Sequence, residues 1–250
     1  MKRVCGKDLL ATKNTRGINM GILNNWYNRE PKNEIKKDAP EKKGMALFFD
    51  VFFREFWELC KLNLIFIVFC LPVVTIPTAI TAMSKVMMHM IMDRTVYTFS
   101  DFFQSFKAEW KRATVAGLFY FPLLALTVFG QLFYSAVAGS LFLYVVTMLL
   151  CAMVLIAGFY LFPMLAVLDL SLNNIFKNAF LLTFLRMPQN ILTLFISALL
   201  FLLVWLFWPF TFFALLLIFF ALTRFITTFC AYTGLKKYVL KESDKDNAEV

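Results

Sequence analysis

The sequence predicts an all-α, multi-pass helical membrane protein with about five transmembrane segments and interfacial amphipathic helices. Three observations carry that reading. From Ala113 to Leu168 the chain holds no Asp, Glu, Lys, Arg or His, and at about 20 helical residues per crossing of a hydrocarbon layer about 30 Å thick this run accommodates two spans with a tight turn between them. Of the 250 residues, 60% are hydrophobic, 18% aromatic and only 16% charged, with a mean hydropathy of +0.71, against roughly a quarter charged in soluble domains. The apolar runs are unbroken and do not alternate with period 2, which selects helices over a barrel as the way to satisfy every backbone amide in lipid.

The chain divides into a basic cytoplasmic tail over residues 1–44, a helical transmembrane domain over 45–235 and a short charged tail over 236–250. The first stretch interleaves Lys32, Lys36, Lys37, Lys42 and Lys43 with Glu30, Glu34, Asp38 and Glu41; it has too little apolar surface for a core and reads as a mobile tail. It lacks the apolar stretch of a secretory signal. From Met45, the aromatics Phe48, Phe49, Phe52, Phe53, Phe56 and Trp57 recur at helical spacing among Asp50, Arg54, Glu55, Glu58 and Lys61, the pattern of an interfacial amphipathic helix. The first apolar segment, Leu62 to Ala82, contains Leu71-Pro72-Val73-Val74-Thr75-Ile76-Pro77, and its two prolines predict a kink or re-entrant bend. A second interfacial stretch follows from Thr98 to Arg112, with Ser100 and Asp101 as N-cap candidates. Crossings are expected at about Ala113 to Tyr134 and Leu141 to Leu165, with small residues turning the chain at Ser135 to Ser140. Asp169 to Asn190 is a polar linker. Pro188 restarts the chain into Ile191 to Thr223, which Trp208-Pro209 divides into a second hairpin.

FFREFWELCKLNL, FFQSFKAEWKRAT and NAFLLTFLRMPQNIL each place aromatics and a cation before an apolar segment. The pattern is either a threefold repeat of interfacial helix plus hairpin or the general preference of membrane interfaces for those residues. Of the 25 Lys and Arg, 13 precede Leu62, and the turns at Ser135 to Ser140 and around Trp208 carry none. By the positive-inside rule both termini and both charged linkers lie on the cytoplasmic side of the cell membrane. The Leu62 to Ala82 segment is too short to cross twice, so it re-enters or draws helix from Val51 onward, or else the protein is a simple five-pass one with a single violation of the charge rule.

Candidate chemistry is sparse. Met83, Met87, Met88, His89, Met90 and Met92 offer soft donors for Cu(I), or adaptable packing; the second is preferred, and no metal or other cofactor is expected. The five cysteines show no paired spacing and read as small hydrophobes. Asp169 and Arg224 each mark the cytoplasmic end of an uncharged crossing, where they could pair across the bundle; the alternative is that Arg224 snorkels and Asp169 caps a linker helix. Thr75, Thr78 and Thr81 beside Pro72 and Pro77 either expose carbonyls to a cavity or satisfy carbonyls that proline frees. With a single histidine and no zinc-protease, phosphate-loop or nucleophile-elbow motif, no enzyme is expected. The net charge of +9 resides mainly in the membrane-adjacent tail, so the partner it predicts is anionic lipid and not nucleic acid.

The basic tail, the FFxxFW stretch, Asn63, the Leu71 to Ile76 break and the SDFFQSFK linker together resemble the YesL-like family of bacterial membrane proteins, from Met20 to about Tyr238. The family's members open on a Met-Gly with a short aromatic lead, as in Met20-Gly21-Ile22-Leu23-Asn24-Asn25-Trp26-Tyr27; the resemblance implies that Met1 to Asn19 is an upstream extension. It carries over no catalytic residue, and it implies a neighbourhood of carbohydrate uptake and breakdown. The expected function is a non-enzymatic accessory or regulatory component linked to carbohydrate uptake, whose partners are the bilayer and either carbohydrate-transporter subunits or further copies of itself. The alternative is a small transporter or channel for a neutral solute. Asn63, Pro72, Thr75, Pro77, Asp169 and Arg224 are the candidate structural or functional residues.

Overall fold

The computed structural model describes residues 44–136, 141–168, 170–207 and 215–235, with the side chains of 215 and 216 outside that description. The described residues form eight helices and no strand: α1 (Met45–Arg54), α2 (Phe56–Cys70), α3 (Ile76–Ile91), α4 (Thr98–Ala136), α5 (Leu141–Val167), α6 (Leu172–Leu185), α7 (Met187–Leu206) and α8 (Phe220–Leu235), the last preceded by a π-helical turn at Leu215–Phe219. Four stretches are long and apolar enough to span a membrane, namely Thr98–Ala136, Leu141–Val167, Met187–Leu206 and Leu217–Leu235. The chain is an all-α, multi-pass membrane protein.

The expected first span is divided between elements. Helix α2 ends at Cys70 because Pro72 has no N–H with which to continue the ladder; Pro72 is extended (φ −79°, ψ 120°), a single 3₁₀ turn covers Val73–Thr75, and α3 begins at Ile76. Pro77 was expected to share in this break, yet it sits in the first turn of α3, where its missing N–H would have had no partner in any case. Leu62 to Ala82 is therefore the end of one helix, a turn and the start of another. Counted among the described residues, long apolar helices number four and not five.

The α2–α3 pair enters and leaves at one end. At the α1–α2 junction Glu55 departs from helical geometry (φ −103°, ψ 16°), and Arg54 there meets Asp93 at 3.0 Å in the α3–α4 loop. Asp93 adopts a left-handed conformation (φ 54°), one that Asp tolerates better than most residues. One turn into α2, Glu58 Oε2 accepts a hydrogen bond from Thr98 Oγ1 at 2.5 Å.

Helix α3 is the hub. All of its 16 residues except Ile76, Ile80 and Lys85 are buried, because α1, α2, α4, α5 and α8 all pack against it. Its methionines serve two cores: Met83, Met87 and Met90 join Leu59, Leu62, Phe102 and Phe225, whereas Met88 joins Tyr120, Tyr160 and Leu161. Unbranched thioethers suit a helix that must meet five differently shaped neighbours.

Thr98 to Arg112 is not a separate interfacial helix, as the sequence pattern suggested, but the first part of the 39-residue α4. Its polar half buries Phe102, Ser105 and Glu109, and nothing between Arg112 and Ala113 interrupts the ladder. The helix also begins earlier than expected, at Thr98, and the carboxylate of Asp101 reaches back to accept the Tyr97 N–H at 3.1 Å. Beyond Tyr120 α4 buries no residue, α5 buries none before Ile156, and α7 buries only Asn190 and Thr193. These distal lengths expose apolar side chains such as Leu126, Phe129, Phe142 and Phe201. The inner ends form a packed bundle from which apolar arms project. The turn at Ser135 to Ser140 lies partly, and Trp208-Pro209 wholly, outside the described residues.

Candidate functional site

The break that suggested a cavity is closed by its own side chains. Thr75 Oγ1 lies 2.5 Å from Phe69 O, in the last turn of α2, and 2.6 Å from Pro72 O, which also accepts the Thr75 N–H at 3.0 Å. Thr81 Oγ1 donates to Pro77 O at 2.9 Å, and Thr78 Oγ1 pairs with Thr114 Oγ1 on α4 at 3.2 Å. The three hydroxyls thus bond to Phe69 O, Pro72 O, Pro77 O and Thr114 Oγ1. Leu71, Val73 and Val74 at the tip are exposed, a charge-free apolar knob.

Asn63 is fully buried, and its Oδ1 accepts the backbone N–H of Ala221 at 2.8 Å. Ala221 follows the π-helical turn at Leu215–Phe219, where the hydrogen-bond register changes from i−5 to i−4 and the regular ladder is disturbed. Asn63 thus ties α2 to the irregular start of α8.

Arg224 was expected at the cytoplasmic end of a crossing. It lies instead within α8, eleven residues before the last residue of the apolar stretch Leu217–Leu235, because α8 continues through Thr227, Thr228 and Ala231, all buried. Its Nη2 donates to Ser84 Oγ on α3 at 2.9 Å, and its guanidinium stands over the Phe162 ring, 6.0 Å from the centroid. Asp169, the proposed partner, lies outside the described residues. The N-cap position of α6 belongs to Ser171.

The densest polar arrangement was not foreseen. Tyr160 on α5, Arg186 between α6 and α7, Asn190 on α7 and Cys230 on α8 meet in the interior. Tyr160 Oη donates to Asn190 Oδ1 at 2.5 Å and lies 3.7 Å from Cys230 Sγ. Asn190 Nδ2 donates to Thr183 O at 3.0 Å and Leu182 O at 3.3 Å, carbonyls of the last turn of α6, of which Leu182 O also accepts the Arg186 N–H. Arg186 donates through Nη1 to Cys230 O at 2.7 Å and through Nε to Gln189 Oε1 at 2.5 Å. Tyr160 and Asn190 are fully buried, and all four donors of this group that reach across elements, the Cys230 thiol to Asn190 Oδ1 at 3.8 Å among them, end on oxygen acceptors. A second arginine closes the α4–α5 hairpin: Arg112 Nη2 donates to Leu168 O at 3.1 Å and Leu170 O at 2.8 Å, and Nη1 meets Glu109 at 3.2 Å.

Glycine permits the close approaches. A Cβ on Gly117 would collide with the Pro77 ring of α3, and one on Gly158 with the Tyr120 hydroxyl, the small-residue device by which membrane helices approach one another. On the distal arm a groove of about 450 Å³ runs between α4 and α5, lined by Leu126, Phe129, Gly130, Phe133, Thr147 and Leu150. It is apolar and open to the side.

Isolated glycines within helical pattern, and an Asn just inside an apolar run, were the available signals for these contacts. Nothing local tells which helix each would meet. Cys60, Cys70, Cys151 and Cys230 are free thiols, and among the described residues His, Cys, Asp and Glu form no group of three that could hold a metal ion.

No curated protein and no solved structure matches the chain. Residues 59–131, running from α2 through the hub helix into α4, match the model of a protein family of unknown function, DUF624.

Proposed function

We propose that this protein is a non-enzymatic accessory or regulatory component of a membrane assembly, resident in the cell membrane with both termini on the cytoplasmic side. The observation that carries the reading is the division of the molecule into a tethered inner bundle around α3 and distal arms whose apolar faces remain unburied. Buried hydroxyl, amide and guanidinium groups spend their hydrogen bonds holding helices to one another, and the exposed faces of α4, α5 and α7 are free to pack against other membrane helices. The orientation rests on the positive-inside rule, and the Arg54 to Asp93 contact, which brings the α1–α2 junction and the α3–α4 linker to one end of the hairpin, agrees with it. The link to carbohydrate uptake rests on the YesL-like resemblance, with which the DUF624 match over residues 59–131 is consistent.

The test is mass spectrometry of what co-purifies from the native membrane at natural expression level in a mild detergent. A stoichiometric transporter subunit is the expected result. Recovery alone, combined with solute flux in liposomes containing only this protein, would replace the accessory reading with the transporter alternative.

A further inference from the structure

We propose that Arg224 and Thr228 form one wall of an intramembrane binding point for an oxygen anion, phosphate or carboxylate, supplied by a lipid headgroup or by a soluble anion. Four residues separate the two on α8, which places them on one face about one turn apart. Arg224 Nη2 reaches Ser84 Oγ, but Arg224 Nε is buried without an acceptor, and the hydroxyl of the fully buried Thr228 has no hydrogen-bond partner. Ser84 offers no further help, since its own proton goes to Ile80 O at 2.8 Å. Among the described residues no carboxylate meets Arg224. Arg224 is half-buried as a residue, but its Nε and the Thr228 hydroxyl are both closed to solvent, so an anion reaches them only as neighbouring side chains move aside; Phe162 supports the guanidinium from one side.

The chemistry of the missing group follows from the donors. A guanidinium has five N–H donors and no acceptor, so the group beside Nε must accept. One oxygen anion accepts from Nε–H and from the Thr228 hydroxyl together, and it also balances the cation's charge where the surroundings are apolar and charge is costly. Water would satisfy the hydrogen bonds and leave the charge. The forked guanidinium geometry matches phosphate and carboxylate in particular.

The experiment uses the full chain, delipidated in a neutral detergent. Thermal unfolding is followed in inorganic phosphate or acetate against chloride at matched ionic strength, and separately with dioleoylphosphatidylglycerol against dioleoylphosphatidylcholine, with native mass spectrometry counting retained lipid. Stabilisation by the soluble anions identifies that source, and stabilisation by phosphatidylglycerol alone identifies a headgroup. In either arm Arg224→Gln should weaken the apparent affinity about tenfold or more, Arg224→Lys should retain part of it, and Thr228→Val should weaken it about threefold, on the scale of one charge-assisted hydrogen bond. Thr228→Val changes little volume and keeps the test available if the arginine variants do not fold. An absence of response in both arms, or an equal response in wild type and Thr228→Val, overturns the proposal. So does a response that only Asp169→Asn acquires, which would make Asp169 the native acceptor.

Discussion

Replacing Asn63 by Leu removes the acceptor for the Ala221 N–H while nearly conserving side-chain volume. The site is fully buried and the bond is 2.8 Å long, so the amide is left without partner or water. That omission costs about 1–3 kcal/mol. For a chain of this size each kcal/mol moves the midpoint by about 2–4 °C, so a loss of about 2 kcal/mol lowers Tm by about 4–8 °C. The assay is fluorescence-detected thermal unfolding of the detergent-purified protein, with Leu64→Ala as the neighbouring control. Leu64 is 43% exposed on the other face of α2, and its truncation should stay within about 1–2 °C of wild type. If Asn63→Leu were as stable as wild type, or Leu64→Ala fell as far, the hydrogen bond would not be what joins α2 to α8.

The glycines make a graded set: Gly117→Ala and Gly158→Ala should each lose about 1–3 kcal/mol by forcing Pro77 or Tyr120 aside, whereas Gly130→Ala, whose Cβ would sit 3.4 Å from Thr147 Cγ2, should be nearly neutral in the same assay. Arg112→Met should cost about 1–2 kcal/mol by stripping donors from the Leu168 and Leu170 carbonyls, with amide exchange accelerating first at the end of α5. Tyr160→Phe leaves Asn190 Oδ1 without its hydroxyl donor, a loss of about 1–2 kcal/mol readable as a lower Tm. Arg54→Gln removes the cation shared by Asp50, Asp93 and Glu55, the last only 3% exposed, so it should cost about 1–3 kcal/mol, more than an exposed pair, and read as a lower Tm.

The spans through Ala113 to Tyr134 and Leu141 to Leu165 were legible because hydrocarbon demands long uncharged helices and the chain supplies them. The start of α7 was legible through Pro188, which occupies the first turn of that helix. The fate of the Leu62 to Ala82 segment was not, because hydropathy reports the medium a residue prefers and not where the chain turns. Pro72 and Pro77 look alike in sequence, yet one ends a helix and the other begins one. Arg224 was misplaced for a related reason: the expected boundary followed its charge, and a buried serine on another helix let α8 continue past it.

By itself the sequence determined that this is a helical membrane protein, where its long apolar runs lie and where its cations concentrate, because those properties follow from residue-by-residue transfer between water and lipid. Only the tertiary structure decided that α3 is buried at the centre, that Asn63 serves α8, and that Tyr160, Arg186, Asn190 and Cys230 meet. Inside lipid every helix face is apolar enough to be exposed, so hydrophobicity does not choose partners; the choice falls to glycine contacts and to a few polar groups whose hydrogen-bond partners lie 30 to 158 residues away.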